Sequence, residues 1–191
     1  MAIKSLSSTI SAGKYKGKKI LLPSLESTRS TKAILKGSLF DSLQYDIIDE
    51  LFVEVFGGSG SMGLEALSRG AKHAYFIEKD RAAFQTLKSN CKAIDEEHTT
   101  PLEGDSFILF PTLLGKLTCK AYFYFDPPFS IREGMEDVYE NVMGLIASIP
   151  REKAHWIVIE HMSTLVLPEA IGSYTLTKRK KFGKSSLSFY M

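Results

Sequence analysis

The chain has 191 residues, of which 44% are hydrophobic and 24% charged, and its formal net charge is +2. This length suits one globular domain with room for a small extra lobe, and the composition argues against wholesale disorder. No apolar run approaches the roughly 20 residues of a membrane span, and residues 1–10 contain no secretory h-region, so we expect no membrane partner. The two cysteines, Cys91 and Cys119, predict a reduced, cytoplasmic protein without a disulfide framework.

Charge is distributed unevenly along the chain. Residues 1–37 hold eight Lys or Arg and one Glu, and residues 171–191 hold five Lys or Arg and no acid, so the middle is acidic. Basic segments gain free energy by releasing counterions from phosphates, which favours a nucleic-acid partner. The alternative is that solvated lysines at both ends only aid solubility.

The predicted elements alternate between strands and helices. Residues 9–23 predict a basic hairpin with a Lys-Gly turn, and residues 175–181 and 185–191 predict a second hairpin. The strands predicted between the hairpins are 51–56, 74–77, 101–103, 120–125 and 155–160. Helices are predicted over 32–43, over 62–68, in the stretch that ends at residue 94, and over 134–148. This order predicts an α/β fold with a parallel sheet covered on both faces and an antiparallel last strand.

A glycine-rich turn, Gly58-Ser59-Gly60-Ser61-Met62-Gly63, follows the strand at 51–56 and precedes a helix. Its glycines allow a tight turn and close approach of a ligand, while the helix amino terminus offers free amide groups. Glu78, twenty residues past Gly58, could bind ribose hydroxyls. NAD and S-adenosylmethionine both fit this pattern. Glu54 favours S-adenosylmethionine, because a carboxylate repels a pyrophosphate and attracts an ammonium or sulfonium.

The sequence Asp126-Pro127-Pro128-Phe129 ends the aromatic strand at 120–125. Two prolines make a rigid loop without backbone donors, which presents the Asp126 carboxylate and the Pro127 carbonyl as fixed acceptors. Such acceptors would hold both N–H groups of a nucleobase amine, and Phe129 would offer a stacking face. The loop therefore predicts methyl transfer to an amino nitrogen, mainly by positioning it. The alternative is an ordinary turn at the end of a strand.

These motifs resemble those of the RsmD family, bacterial enzymes that methylate a guanine N2 in small-subunit (16S) ribosomal RNA. The resemblance covers nearly the whole chain and is carried by residues 13–19, 28–31, 39–40, 56–60, 63–71, 77–80, 126–129, 159–161 and 187–190. It implies a class I, Rossmann-like methyltransferase fold with seven strands and a small amino-terminal hairpin. Two departures are Glu54, where the family usually has Asp, and Ser30, where it often has Pro.

The resemblance also implies roles for individual residues. The target-base site would be Asp126, Pro127, Pro128 and Phe129. The S-adenosylmethionine site would be Glu54, Phe56, Gly57, Gly58, Ser59, Gly60, Gly63, Glu78, Lys79, Asp105, Ser106 and Asp126. We expect RNA contacts from Lys14, Lys16, Lys18, Lys19, Arg29, Thr31, Lys181 and Lys184. By the same resemblance, Arg29 and Thr31 would line the cofactor carboxylate or the base pocket.

No metal is expected, because His73, His98, His155 and His161 show no metal-ligand spacing, and His161 is predicted at the rim of the sheet. We expect a hairpin arm over residues 1–30 and a methyltransferase domain over 31–191. Three other functions stay open: an amino-methyltransferase acting on DNA adenine N6 or another RNA, a non-catalytic RNA-binding assembly factor, and an NAD oxidoreductase. Naked ribosomal RNA and the assembled small subunit with its proteins are both possible substrates.

Overall fold

The structure is a computed structural model that describes residues 6–23, 29–128 and 137–191, with the side chains of residues 29–31 outside this set. The strands are β1 (Ser7–Thr9), β2 (Lys19–Leu21), β3 (Leu51–Glu54), β4 (His73–Glu78), β5 (Thr99–Glu103), β6 (Ala121–Phe125), β7 (Ala154–Met162), β8 (Ala170–Ile171), β9 (Tyr174–Phe182) and β10 (Ser185–Tyr190). The helices are α1 (Arg29–Leu43), α2 (Ser61–Ser68), α3 (Arg81–Ile94), α4 (Ser106–Lys116) and α5 (Val138–Ala147), with 3-10 turns at Gln44–Ile47 and Arg151–Lys153.

Eight strands form one sheet in the order β5-β4-β3-β6-β7-β10-β9-β8, and β1 and β2 form a separate hairpin. The first five of these strands are parallel, while β10 runs antiparallel between β7 and β9. The predicted α/β fold with an antiparallel last strand is confirmed. The seven strands predicted for this sheet, five between the hairpins and two in the second hairpin, are all present, and the two-residue β8 is added at the edge.

Helix α4 was missed, because the sequence predicts only a turn at residues 104–106. The segment is apolar on most sides and contains Pro111, so no amphipathic period stands out. The helix nevertheless begins at a good cap, where the Asp105 carboxylate accepts a hydrogen bond from Phe107 N at 2.9 Å. The missed helix covers one face of the sheet together with α5.

The core lies on both faces of the sheet, and strand β6 contributes to both. Tyr122 and Tyr124 pack with α1, α2 and α3, whereas Phe123 and Phe125 pack with α4 and α5. This alternation is what a strand buried on both faces requires. The prediction that residues 122–125 belong to the sheet core is confirmed.

The β1–β2 hairpin packs against α2 and α3 through the buried side chains of Ile10 and Ile20. Its tip is held at the end of α2, where Lys14 N donates to Ser68 O at 2.7 Å. Gly13 has φ +81° there, and a Cβ atom at this position would lie 1.7 Å from Ser68 O. Glycine is therefore required at Gly13 for the hairpin to dock.

Across residues 6–23, 29–128 and 137–191, no helix combines the length and apolar character that a membrane crossing demands. The same described residues bring no three His, Cys, Asp or Glu side chains together as metal ligands.

Candidate active site at the carboxyl edge of the sheet

The two loops singled out from the sequence leave the sheet side by side. Strands β3 and β6 are parallel neighbours, with Glu54 paired to Tyr124, and Val55 N donates to Tyr124 O at 2.9 Å. Neighbouring strands lie about 4.8 Å apart, so the glycine loop after β3 and the turn after β6 open at the same edge. The structure thus brings the predicted cofactor loop and the predicted target-base turn together.

The glycine loop is a rigid turn under a helix amino terminus. Gly57 N donates to Ile77 O, and Gly60 N donates to Gly57 O, both at 2.7 Å. Gly58 and Gly60 have φ of +51° and +77°, a region that favours glycine. A Cβ on Gly58 would meet nothing within 4 Å, so this side of the loop is open to a ligand.

Gly63 serves the packing of α2 on the sheet. A Cβ at this position would lie 2.3 Å from Cε1 of Phe76, a buried ring of β4. The first turn of the helix therefore approaches the strands as closely as only glycine permits. The amide of Gly63 donates to Glu54 Oε2 at 2.8 Å, which places this carboxyl beneath the loop.

Glu54 is 4% exposed at the end of β3. Burial, with a smaller contribution from the nearby Asp126 carboxylate, raises the pKa of Glu54 to about 8, while the hydrogen bonds from the Gly63 and Met62 amides act in the opposite direction. The group is therefore mainly protonated at neutral pH in the protein alone. A cation that approached it would favour its ionised form.

Glu78 closes the other side of the loop. Its Oε2 accepts a hydrogen bond from Gly58 N and its Oε1 accepts one from Asp80 N, each at 2.7 Å. These bonds fix the carboxylate at the end of β4, and each oxygen keeps a second lone pair for a ligand hydroxyl.

Strand β5 is followed by Asp105 and Ser106, on the far side of β4 from the glycine loop. Lys79 lies 2.8 Å from Asp105, and this hydrogen bond lowers the pKa of the Asp105 carboxyl. Ser106 is buried and donates to Val55 O at 2.5 Å. Phe56 contacts Phe107 edge to face, with ring centroids 5.8 Å apart. Four predicted cofactor residues that follow β3, β4 and β5 thus lie at one edge of the sheet: Phe56, Lys79, Asp105 and Ser106.

Asp126 stands where β6 ends, and its side chain is partly exposed. Lys32 Nζ of α1 lies 3.3 Å from Asp126 Oδ2, so a positive charge faces this carboxylate. Pro127 is buried and packs the turn against the protein, whereas Pro128 is exposed to solvent. Phe129 lies outside the described residues.

The predicted RNA-binding lysines lie at opposite edges of the sheet. Lys184 follows β9, and its carbonyl accepts a hydrogen bond from Ser163 N, just past the carboxyl end of β7. Lys181 and Lys184 are exposed at the same edge of the sheet as the candidate site, three strands from β6. The hairpin tip, by contrast, lies at the amino edge, where Tyr15 donates to Asp95 at 2.5 Å.

Lys14, Lys16, Lys18 and Lys19 are exposed along that hairpin. The ammonium groups of Lys14 and Lys18 lie 4.9 and 4.8 Å from the Tyr15 ring centroid, within cation–π range. Arg29 and Thr31 begin α1, but their side chains lie outside the described residues.

The sequence reasoning missed three residues at this site. Lys32 was counted only as a basic charge, although helical spacing places it on the first turn of the predicted helix. Asn90 carried no motif, and its hydrogen bonds reach residues 31 and 69 positions away. Tyr124 was assigned to the core alone, but its hydroxyl donates to the buried Glu160 of β7.

His161 corrects one prediction. It is fully buried instead of lying at the rim, and its Nε2 is 2.8 Å from Ser188 Oγ. The reason is that β10 pairs with β7 along its whole end, with Ser186 opposite His161, and this pairing covers the position.

The residues of this edge fit one kind of ligand better than another. Carboxyl groups of Glu54, Glu78 and Asp126 lie around the loop, and that of Asp105 follows β5 at the same edge of the sheet. These carboxyl groups suit ammonium, sulfonium and hydroxyl groups. The Gly58 amide, which a pyrophosphate would need, is already bonded to Glu78. The set therefore fits S-adenosylmethionine and disfavours NAD.

Comparison with known proteins gives similarity over nearly the whole chain. The profile of a family described as "Conserved hypothetical protein 95" matches residues 8–191. YlbH of Bacillus subtilis, provisionally named an rRNA methyltransferase, is 29% identical over 181 residues, 94% of this chain and 96% of its own. The Escherichia coli protein named "Ribosomal RNA small subunit methyltransferase D" is 29% identical over 181 residues, 95% of this chain and 88% of its own. The solved structure of Escherichia coli yhhF, provisionally named a methyltransferase, has a TM-score of 0.75 at 26% identity over 97% of each chain.

Proposed function

We propose that this chain, which belongs to the conserved hypothetical protein 95 family (the RsmD family), transfers a methyl group from S-adenosylmethionine to the N2 amine of a guanine in small-subunit ribosomal RNA. The names of the Bacillus subtilis and Escherichia coli relatives support rRNA methylation. The choice of guanine N2 follows from the resemblance of the motifs to that family. Since ribosomal RNA is a cytoplasmic substrate, we propose the same compartment for this chain.

One observation carries the proposal: the glycine loop and the Asp126 turn leave neighbouring parallel strands at the same edge. Glu54 lies below both, close enough to Asp126 for that carboxylate to raise its pKa. A methyl donor held by one loop and an amine held by the other would therefore meet directly. Such alignment is the main requirement of a transfer between a sulfonium and a nitrogen.

When bound, S-adenosylmethionine supplies an electrophilic methyl group on a positively charged sulfur. Glu54 and the loop of Gly57 to Gly63 would hold its methionine end, and Glu78 would accept hydrogen bonds from its ribose. Lys79, Asp105 and Ser106 would border the adenine, with Phe56 beside them.

Asp126 and the Pro127 carbonyl would hold the two N–H groups of the guanine amine. This arrangement turns the nitrogen lone pair toward the methyl donor. After transfer the nitrogen carries an extra proton, and the Asp126 carboxylate is placed to accept it. Lys32 balances the charge of the carboxylate before RNA arrives.

The positions of the lysines set a requirement on the RNA. Strand β4 has six residues, so the two edges of the sheet lie about 20 Å apart at 3.3 Å per residue. An RNA that touches Lys181 and Lys184 at the edge of the site and Lys14, Lys16 and Lys18 on the hairpin must extend over at least this distance. We therefore propose that the substrate is an RNA segment longer than the target nucleotide and its direct neighbours.

The test is methyl transfer by the wild-type chain and by Asp126→Asn. Substrates are deproteinised small-subunit RNA, assembled small subunits and duplex DNA, each with radiolabelled S-adenosylmethionine. We expect the variant to lose about 100-fold or more in kcat, as when one oriented polar contact to the reacting group is removed. Its affinity for the cofactor should stay within a few fold. Asp41→Asn, which removes an exposed carboxylate on α1, is the matched control.

Digestion of the product to nucleosides identifies the methylated atom by mass spectrometry. N2-methylguanosine supports the proposal, whereas N6-methyladenine in DNA would establish the amino-methyltransferase alternative. Binding of RNA without any binding of S-adenosylmethionine would overturn the proposal and favour a non-catalytic assembly factor. Full turnover by Asp126→Asn would remove the assigned role of that residue.

A further inference from the structure

Asn90 is a buried polar residue that the proposed reaction does not use. It lies on α3, is 2% exposed, and makes three hydrogen bonds of 2.9 Å, all to main-chain atoms. Its Nδ2 donates to Leu21 O and to Ser59 O, and its Oδ1 accepts from Leu21 N. One side chain therefore joins the basic hairpin to the glycine loop.

On the hairpin, Asn90 makes the hydrogen bonds that a neighbouring strand would make to the outer edge of β2. Leu22 N donates to Leu6 O and Ile10 N donates to Lys18 O, so the backbone N–H and C=O groups of the even-numbered residues in and beside β2 point toward β1. The N–H and C=O groups of Leu21 point to the other edge of β2, as alternation in an antiparallel pair requires. Asn90 satisfies both groups, and β2 has this fixed partner on its outer edge.

The contact with the glycine loop fixes one peptide plane. The carbonyl of Ser59 accepts from Asn90, while the N–H of Gly60, in the same peptide unit, donates to Gly57 O. Both ends of the peptide are therefore held. Leu87, one turn earlier on α3, packs under the loop, where a Cβ on Gly60 would lie 2.5 Å from its Cδ1. The same face of α3 thus supports the loop by packing and orients it by a hydrogen bond.

We propose that Asn90 is a positioning residue that couples RNA binding on the hairpin to cofactor binding at the glycine loop. This inference rests on the proposed function, because it takes S-adenosylmethionine and RNA as the two ligands. RNA held by the exposed Lys16, Lys18 and Lys19 restrains β2, β2 restrains the Asn90 carboxamide, and the carboxamide restrains the Ser59 peptide. By thermodynamic linkage, the cofactor then raises the affinity for RNA by the same factor.

The experiment measures this factor directly. The ligands are S-adenosylhomocysteine, which has no methyl group to transfer, and deproteinised small-subunit ribosomal RNA. Equilibrium dialysis gives the Kd of S-adenosylhomocysteine with and without saturating RNA, for the wild type, Asn90→Ala and Asn141→Ala. Asn141, an exposed asparagine on α5, is the matched control.

We expect RNA to tighten cofactor binding about fivefold or more in the wild type and in Asn141→Ala, the usual size of a coupling between sites. In Asn90→Ala each ligand should still bind alone, and the ratio of the two Kd values should fall to about one. A purely structural role of Asn90 would lower the thermal stability and leave this ratio unchanged. An unchanged ratio in Asn90→Ala, or a ratio of one in the wild type, would overturn the coupling.

A second measurement uses the wild type alone and decides the matter if Asn90→Ala does not fold. S-adenosylhomocysteine without RNA should slow hydrogen exchange at the Leu21 amide, which donates to Asn90. Slower exchange at Gly58 and Gly60 with no change at Leu21 would overturn the inference and leave the proposed function standing. Binding of neither ligand would overturn the proposed function itself.

Discussion

Glu65 is a buried charged residue outside the candidate site whose replacement should cost several kcal/mol of stability. Its carboxylate is completely buried between α2 and the hairpin. Oε2 lies 3.1 Å from Lys36 Nζ and accepts from Ser11 N at 2.9 Å, while Oε1 accepts from Ser11 Oγ at 2.6 Å and from Arg69 Nε at 3.0 Å. Glu65→Gln keeps the shape and removes the charge.

The magnitude follows from what the substitution leaves behind. Lys36 is only 5% exposed, so its ammonium would stay buried beside a neutral amide. Removing one partner of a buried ion pair costs about 3–5 kcal/mol, a large part of a typical total of about 5–15 kcal/mol. We expect this loss at pH 7 in urea unfolding, with reduced exchange protection of the Ile10 and Gly17 amides in the hairpin.

Two further variants make the test sharp. Glu140→Gln, an exposed position on α5, should change stability by no more than about 0.5 kcal/mol. Adding Lys36→Met to Glu65→Gln removes the unpaired charge, so the double variant should be more stable than Glu65→Gln alone. A loss from Glu65→Gln below about 1 kcal/mol, the range of exposed ion pairs, would refute the reasoning.

Three more predictions concern the edge of the sheet. Because burial raises the pKa of Glu54 to about 8, this group ionises first in the unfolded chain, and the stability of the wild type falls as pH rises from 4.5 to 8. Glu54→Gln should remove this pH dependence and be about 3 kcal/mol more stable than wild type at pH 7; melting temperatures of the two proteins that change in parallel with pH would contradict it. Gly63→Ala should lower the free energy of unfolding by about 1–3 kcal/mol in urea, because the added methyl group would lie 2.3 Å from the Phe76 ring. Gly144→Ala, at an exposed helix position, is the control and should raise this free energy by about 0.5–1 kcal/mol. Lys184→Ala should reduce the slope of log RNA affinity against log salt concentration by about one, measured by filter binding. Lys120→Ala, at the opposite edge of the sheet, is the control, and an equal effect of this substitution would argue against a phosphate contact at Lys184.

The parallel sheet with its antiparallel last strand and the edge that carries the site could be predicted from the sequence, because both rest on local patterns. Apolar runs ending in glycine or proline mark strands, and parallel strands bring their carboxyl ends to one edge. For this reason Glu54, Gly58, Glu78 and Asp126 were found together where they were expected.

The remaining features depend on contacts between distant parts of the chain. The direction in which the hairpin lies on α2 cannot be read from residues 9–23, so the position of its lysines at the amino edge of the sheet could not be predicted. The burial of Glu65 depends on Ser11, 54 residues away, and that of His161 depends on β10. Periodicity within one segment carries no information about such partners. The division of the chain at residue 30 stays a prediction.

The place of β10 in the sheet has a consequence for how the protein is made. It joins β7 to β9, yet it follows both along the chain, and its Leu187, Phe189 and Tyr190 are completely buried. During synthesis, the edges of β7 and β9 that pair with β10 therefore stay unpaired until residues 185–190 have left the ribosome tunnel. A message that stops before residue 185 would yield a chain with two exposed strand edges, the kind of surface on which unfinished proteins aggregate.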